Sequence, residues 1–350
     1  MIIEVLIKAV LAFIVLFSVL SFAGLHAWIE RKQSAVMQDR IGANRASIFG
    51  FTLLGLFHPI ADAIKLFMKE DFIPEGANKV LHTLAPCLSL VFAFAAFASI
   101  PFGDVLRIGG REITLQIANI NVGLLYVLAM MSMGVYGVVL AGFSSNSNYA
   151  FLGGLRAASQ MLSYEIAMGV SLIGLIMVYG TVDLQEIVRR QGEFRLFGLQ
   201  AWGILTQPLA FFIFLTAGIA ETKRIPFDMP EGESEIVGYF VEYSGMKFGM
   251  YMFADFIETI LIACLTTTLF FGGWQVPFMH APAAYSLGFA LLQVLSFVVK
   301  VVFFAWLFMT IRWTLPRFRY DQLLSLGWKA MFPLSLANIL VTALILLIRR

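Results

Sequence analysis

A chain of 350 residues with 60% hydrophobic and 13% charged side chains, 24 Lys and Arg against 22 Asp and Glu, is too apolar for an ordinary soluble domain, in which roughly a quarter of residues are charged. Its charges are also segregated, leaving 9–29, 80–103, 113–155, 196–220, 259–299 and 330–348 uninterrupted, and several of these stretches reach the ~20 residues that a helix needs to cross hydrocarbon. Disorder, a soluble enzyme, nucleic-acid binding and a disulfide-stapled secreted domain are excluded, which leaves an all-α polytopic membrane protein.

Cut at their turn signals, these stretches predict about eight spans in a single integral membrane domain over 1–350, at 6–28, 80–102, 119–142, 159–181, 203–220, 246–272, 285–311 and 328–348. The first has no basic cluster ahead of it and further spans behind it, so it reads as a permanent helix rather than a signal peptide. Between the first two spans, Leu53, Leu56, Phe57, Ile60, Ile64 and Phe67 recur at helical spacing, while His58, Asp62, Lys65 and Lys69 form a narrow polar stripe. That pattern predicts an amphipathic helix over about 53–70, with Pro59 in its first turn, too short to cross a bilayer and suited to the interface. Ser144–Asn148 ends the third span near Gly142. Gly272-Gly273, Pro277 and Pro282 separate the sixth from the seventh. The connections after spans one, three, five and seven carry thirteen Lys and Arg, against five in the connections between them. The positive-inside rule therefore puts the odd-numbered connections in the cytoplasm and both termini outside.

The two cysteines, Cys87 and Cys264, lie in apolar windows without the spacing of a zinc or iron–sulfur motif, and no dinucleotide or phosphate loop is present. No metal site is expected in this chain. Any redox centre belongs to partner subunits. Ionisable residues at membrane depth need a partner or a function, and four stand out: Glu165 in span four, Asp255 and Glu258 one turn apart in span six, and Lys300 in span seven. They suit a proton relay, and the plainer alternative makes Lys300 a structural counter-charge to one of the carboxylates. The connection between spans five and six carries Glu221, Asp228, Glu231, Glu233 and Glu235, followed by Glu242, against Lys223, Arg224 and Lys247. Pro226, Phe227, Met229 and Pro230 interleave these charges, which suggests an ordered loop rather than a solvated acidic run. Carboxylates clustered at the mouth of a span repel one another and accept protons when a neighbouring charge changes.

That connection, AETKRIPFDMPEGESE at 220–235, resembles the hallmark loop of the quinone-site membrane subunit of respiratory complex I, shared by its bacterial and mitochondrial forms. ERK at 30–32, MQDRIGANR at 37–45, HPIADAIKLFMKED at 58–71, SNSNYAFLGGLRAASQMLSYE at 145–165 and RWTLPRFRYDQL at 312–323 resemble further segments of that family, in order, from residue 30 to about 330. The resemblance implies a membrane subunit of NADH-quinone oxidoreductase in the bacterial plasma membrane, forming much of a chamber for a lipid-soluble quinone and coupling its reduction to proton translocation. It also implies partners: a peripheral arm holding FMN and the iron–sulfur clusters, with a Tyr and a His near the quinone, and small membrane subunits and antiporter-like pumps in the lipid bilayer.

Residue by residue, the resemblance assigns Glu30, Arg31, Arg40, Asp62, Lys65, Arg224 and Asp228 to the quinone chamber, with a local Arg224–Asp228 ion pair as the simplest role for those two. It assigns Glu165, Glu221, Glu231, Glu233, Glu235 and Glu242 to an acidic series leading inward. Arg312, Arg317, Arg319 and Asp321 are left between docking of the peripheral arm and contact with quinone. The family's sixth-span Glu falls on Asp255, with Glu258 added a turn later, and which of them carries the proton is open. The acidic residue that some members have in the third span is missing, with Ser132 the nearest polar group, so a water or a partner's carboxylate is expected at that depth. Two alternatives remain: the related, quinone-independent subunit of an energy-converting hydrogenase, and a stand-alone ion transporter.

Overall fold

The computed structural model describes residues 2–349 apart from 109–110, 194, 197–198, 231–237, 278 and 280–286. The protein is an all-α bundle of a multi-pass membrane type. Among the described residues, seven helical stretches are long and apolar enough to cross a bilayer. Helix α1 (Ile2–Met37) is followed by a 3-10 turn at Leu53–Gly55 and by α2 (His58–Met68), the amphipathic helix, which is shorter than the predicted 53–70. Then come α3 (Lys79–Ala95), a hairpin of β1 (Val105–Ile108) and β2 (Arg111–Thr114), α4 (Gly123–Ser144), α5 (Asn148–Tyr179) and the short α6 (Leu184–Glu193). The stretch predicted as one span over 203–220 is broken at Gln207 into α7 (Gly203–Thr206) and α8 (Pro208–Glu221), because Pro208 fits a first turn but not a helix interior. Helices α9 (Gly245–Phe270), α10 (Leu287–Thr314), α11 (Tyr320–Ser325) and α12 (Phe332–Arg349) complete the chain, with a π-turn at Leu326–Met331 joining the last two.

Helix α9 is the axle of the bundle: 78% of its most apolar window is buried, against 11% for α1. The outward faces of α1, α10 and α12 show Phe13, Phe17, Leu291, Leu295, Leu344 and Leu347, the surface a bilayer would cover. Where lipid solvates apolar side chains as well as a core does, helices associate through close backbone approach. A Cβ on Gly137 of α4 would lie 2.1 Å from Ser89 Oγ of α3, and one on Gly142 would lie 2.7 Å from the Ala150 carbonyl of α5. Buried polar groups also cross between helices. Gln207, in the break before α8, donates to Thr342 (2.8 Å) and accepts from Asn338 (2.8 Å), tying α8 to α12.

The connections separate into two groups at opposite ends of α9. At its C-terminal end, Arg189 of α6 and Gln185 donate to the buried Asp104 (2.7 and 3.1 Å), and Gln191 accepts from Gly203 and Gly272 backbone amides. At its N-terminal end meet the end of α1, helix α2, the segment after α8 and the end of α10. Those are the connections richest in Lys and Arg.

Candidate functional site

Helix α1 does not stop where hydropathy does. Trp28 to Met37 continue it for more than two turns, and this places Glu30 and Arg31 on successive faces of a rigid rod. Glu30 is buried and receives two guanidinium groups, Arg224 from beyond α8 (3.2 Å) and Arg312 from α10 (2.5 Å). The Arg224 guanidinium also lies 4.3 Å over the Phe256 ring, a cation–π contact. Arg31 pairs with Asp62 (2.5 Å), which also receives Lys65 (2.6 Å) from the next turn of α2. Burial by itself pushes the Asp62 carboxyl up, but Lys65 and Arg31 together outweigh it and hold the group below its ordinary value. His58 closes the loop over this helix, its Nε2 accepting from the amides of Arg45 and Ala46 (3.2 and 3.3 Å).

Between α1, α2, α9 and the end of α10 lies a cavity of about 720 Å³. Glu30, Arg31, Arg40, Asp62, Lys65 and Arg224 all line it, as do Arg312 and Asp255. Its remaining wall includes Phe248, Met252, Phe253, Phe256 and Trp313, so a charged rim and an aromatic surface share one volume. That volume lies in the range of pockets that take small organic ligands.

Asp255 faces this cavity and also leads away from it. Lys223 is buried between Asp255 (2.9 Å) and Glu258 (3.5 Å). Glu221, the last residue of α8, is buried within electrostatic reach of Lys223, Glu258 and Glu165, and neither of its oxygens has a hydrogen-bond partner among the described residues. Glu165 of α5 accepts a hydrogen bond from the Ser132 hydroxyl of α4. Ser132, the polar group the sequence offers in that span, therefore meets Glu165 directly. Gln160, buried one turn before Tyr164, donates to the carbonyls of Ala220 and Phe227 (2.7 and 2.6 Å) and fixes the loop that carries Lys223.

A match to the NADH dehydrogenase family model covers residues 9–343. An H subunit of the NADH-quinone oxidoreductase of Cytophaga hutchinsonii is 46% identical over 92% of this chain and 91% of its own. The corresponding H subunit of Thermomicrobium roseum is 44% identical over 98% and 96%, and one from Geobacter metallireducens 46% over 96% and 95%. The chain belongs to the family of NADH-quinone oxidoreductase H subunits. It is a membrane subunit of that oxidoreductase complex.

Several of the residues that the sequence singles out fall elsewhere in this family member than expected. Arg224 and Asp228 are not a local pair: Arg224 reaches Glu30, and Asp228, buried, pairs with Arg317 (2.8 Å), which pins the loop after α8 to the last connection. Phe227 stacks on Phe318 there, 5.4 Å between centroids. Lys300 does not meet a carboxylate of α9. Its ammonium donates to the carbonyls of Phe271, Gly273 and Gln275 (2.9, 2.9 and 2.7 Å) at the far end of that helix, about 20 Å from Glu258 at 1.5 Å per residue. The counter-charge to Asp255 and Glu258 is Lys223, which sequence reasoning misses because its nearest charged neighbours in the chain are Glu221 and Arg224. Arg40 lines the cavity from an exposed loop, with its Nε donating to Gln38 (2.7 Å). Arg319 and Asp321 pair with each other at the exposed surface. Glu242 is half-buried near His82, whose ring stacks on Tyr243 at 3.9 Å. Glu231, Glu233 and Glu235 lie outside the described residues. No cluster of three or more potential metal ligands occurs among the described residues.

Proposed function

We propose that the cavity between α1, α2, α9 and α10 is the quinone chamber of the complex and that Asp255 connects it to the proton path. The observation that carries this reading is the double exposure of Asp255, which lines the cavity and at the same time pairs with the buried Lys223. The chamber's cations, Arg31, Lys65, Arg224 and Arg312, offset negative charge that develops as quinone takes up electrons, and its aromatic wall suits an isoprenoid tail. Electrons come from an iron–sulfur cluster and FMN held by partner subunits of the peripheral arm, while pump subunits lie alongside in the membrane.

Charge appearing in the chamber changes the balance on Asp255. Lys223, free to favour either carboxylate, then shifts towards Asp255 or towards Glu258, and the proton affinities of the two change in opposite senses. Glu258, Glu221 and Glu165 follow as carriers, with Glu231, Glu233, Glu235 and Glu242 feeding the series from the loop and its far side. Lys300, with its ammonium committed to three carbonyls, stands outside this path. The rule of positive connections places the chamber end in the bacterial cytoplasm and both termini outside.

In purified complex reconstituted in liposomes, Glu165→Gln retains assembly and NADH:quinone turnover but loses most of the coupled proton translocation. Full translocation at wild-type turnover in that variant would sink the relay role. Arg31→Leu and Asp62→Leu test the chamber separately, by a raised KM for quinone.

A further inference from the structure

Behind the Glu30 ion pairs lies a second, much smaller cavity of about 10 Å³. His26 of α1, Thr222, Arg224, Thr259 of α9 and Arg312 of α10 supply its polar lining, and aliphatic and aromatic side chains close the rest. Arg224 and Arg312 also line the large chamber, so one layer of guanidinium groups separates the two. His26 is 1% exposed, and neither ring nitrogen has a hydrogen-bond partner among the described residues. The ring is held edge-on by Phe256 (5.4 Å) and Phe22 (6.5 Å), neither of which offers a hydrogen-bonding group. Nε of Arg312 is likewise buried and unpartnered. Buried polar atoms are almost always hydrogen-bonded to protein or to ordered water, and here two sets of orphans belong to side chains that line one small space.

Their chemistry is complementary through a single molecule. Nε–H of a guanidinium only donates, and a neutral imidazole has one acceptor nitrogen. A water accepting from the first and donating to the second joins them. Its second hydrogen has acceptors to choose from, since the Thr259 and Thr222 hydroxyls donate to the carbonyls of Asp255 (2.8 Å) and Ile219 (2.9 Å) and keep free lone pairs. Three bonds is the usual number for a buried water, and the volume is about the smallest that admits one. Glu30 offsets one of the two facing guanidinium charges, and a volume of about one water leaves no room for a larger anion.

We propose that this cavity holds one structural water shared by His26 and Arg312, and that through it His26 positions the Arg312 guanidinium on Glu30 at the chamber wall. The second half rests on the reading of the large cavity as the quinone chamber. His26 precedes Glu30 by four residues, one turn away on the same face of α1, so both ends of the Arg312 guanidinium are fixed from one rigid helix.

The test is a high-resolution map of the assembled complex, together with the variants His26→Phe, which fills the cavity, and His26→Asn, which keeps a polar group there. Density is expected within hydrogen-bond distance of His26 and Arg312 Nε in the wild type and absent in His26→Phe. A dry cavity in the wild type would overturn the proposal, independently of any quinone chemistry. For the positioning role, KM for a short-chain quinone rises roughly fivefold in His26→Phe, more than kcat changes, and returns towards wild type in His26→Asn, as expected for loss and recovery of one water-mediated bond. Loss of the water with an unchanged KM overturns that role. If Arg31→Leu and Asp62→Leu also leave KM unchanged, it is the chamber reading that has failed, and the water stands on its density alone.

Discussion

The two ends of α9 use the same residue types to opposite effect. At the C-terminal end, each charge has a settled partner: Lys300 is caged by three carbonyls, and Asp104 takes one cation, Arg189, while its own amide donates to Gln293 (3.2 Å). At the N-terminal end, charged side chains meet charged side chains around an open volume, and several have two partners each, as with Glu30, Asp62 and Lys223. A side chain bonded to backbone has one stable arrangement. Lys223, one ammonium between two carboxylates at unequal distances, can shorten one contact as the other lengthens, which is what a step that responds to a distant reaction requires. The first end fastens the bundle, and the second retains alternatives.

The sharpest way to break this contrast is to remove Lys223. Lys223→Met leaves Asp255 and Glu258 buried together without a cation, and deleting one partner of a buried pair typically costs about 3–5 kcal/mol. The expected outcome is loss of assembled complex from the membrane, read by native electrophoresis, with recovery in the double variant Lys223→Met/Asp255→Asn, where one carboxylate has been neutralised. Wild-type assembly in the single variant would mean that the pair is not the cluster's keystone. Lys300→Met at the other end removes charged hydrogen bonds worth about 1.5–3 kcal/mol each at most. Its effect should appear as a lower melting temperature of the complex, with KM for quinone and the proton-to-electron ratio unaltered. A drop in that ratio would return Lys300 to the path and erase the distinction between the ends.

How much of this is legible in the sequence depends on range. Uncharged stretches mark the helices, and the stripe His58–Asp62–Lys65 marks α2, because both signals are local. Gln207-Pro208 shows why a span reads as continuous when it is not: neither residue carries charge, and the partners that satisfy Gln207, Thr342 and Asn338, are more than 130 residues away. The same holds at the site. Resemblance and spacing pick out Glu30, Arg224, Asp228 and Arg317, yet the pairing expected from proximity, Arg224 with Asp228, is replaced by Arg224–Glu30 across 194 residues and Asp228–Arg317 across 89. A single sequence shows which charges exist but not which of them the packing of α1, α9 and α10 brings together. His26 gives no signal at all, since a lone histidine in an apolar run reads as core.

The smallest effect expected concerns α2, and it sharpens the contrast by testing how tightly the open end is held. Because Lys65 and Arg31 keep the Asp62 carboxyl below its ordinary value, the stability it contributes is complete above the unfolded value of about 4. That stability is lost as pH falls through the lower folded value, since protonation is then easier in the unfolded chain than in the folded one. Hydrogen exchange across His58–Met68 in the assembled complex should therefore show constant protection from pH 8 down to about 5, and an extra loss below about 4 that Asp62→Asn lacks. With Arg31 and Lys65 largely in solvent, the pair is worth no more than about 1 kcal/mol, so Asp62→Asn at neutral pH should raise exchange in α2 by roughly fivefold or less. A much larger effect would mean that α2 is fastened as firmly as the Lys300 end. Its ion pairs would then belong with the fixed half of the molecule, leaving Lys223 and the Glu30 knot as the parts that move.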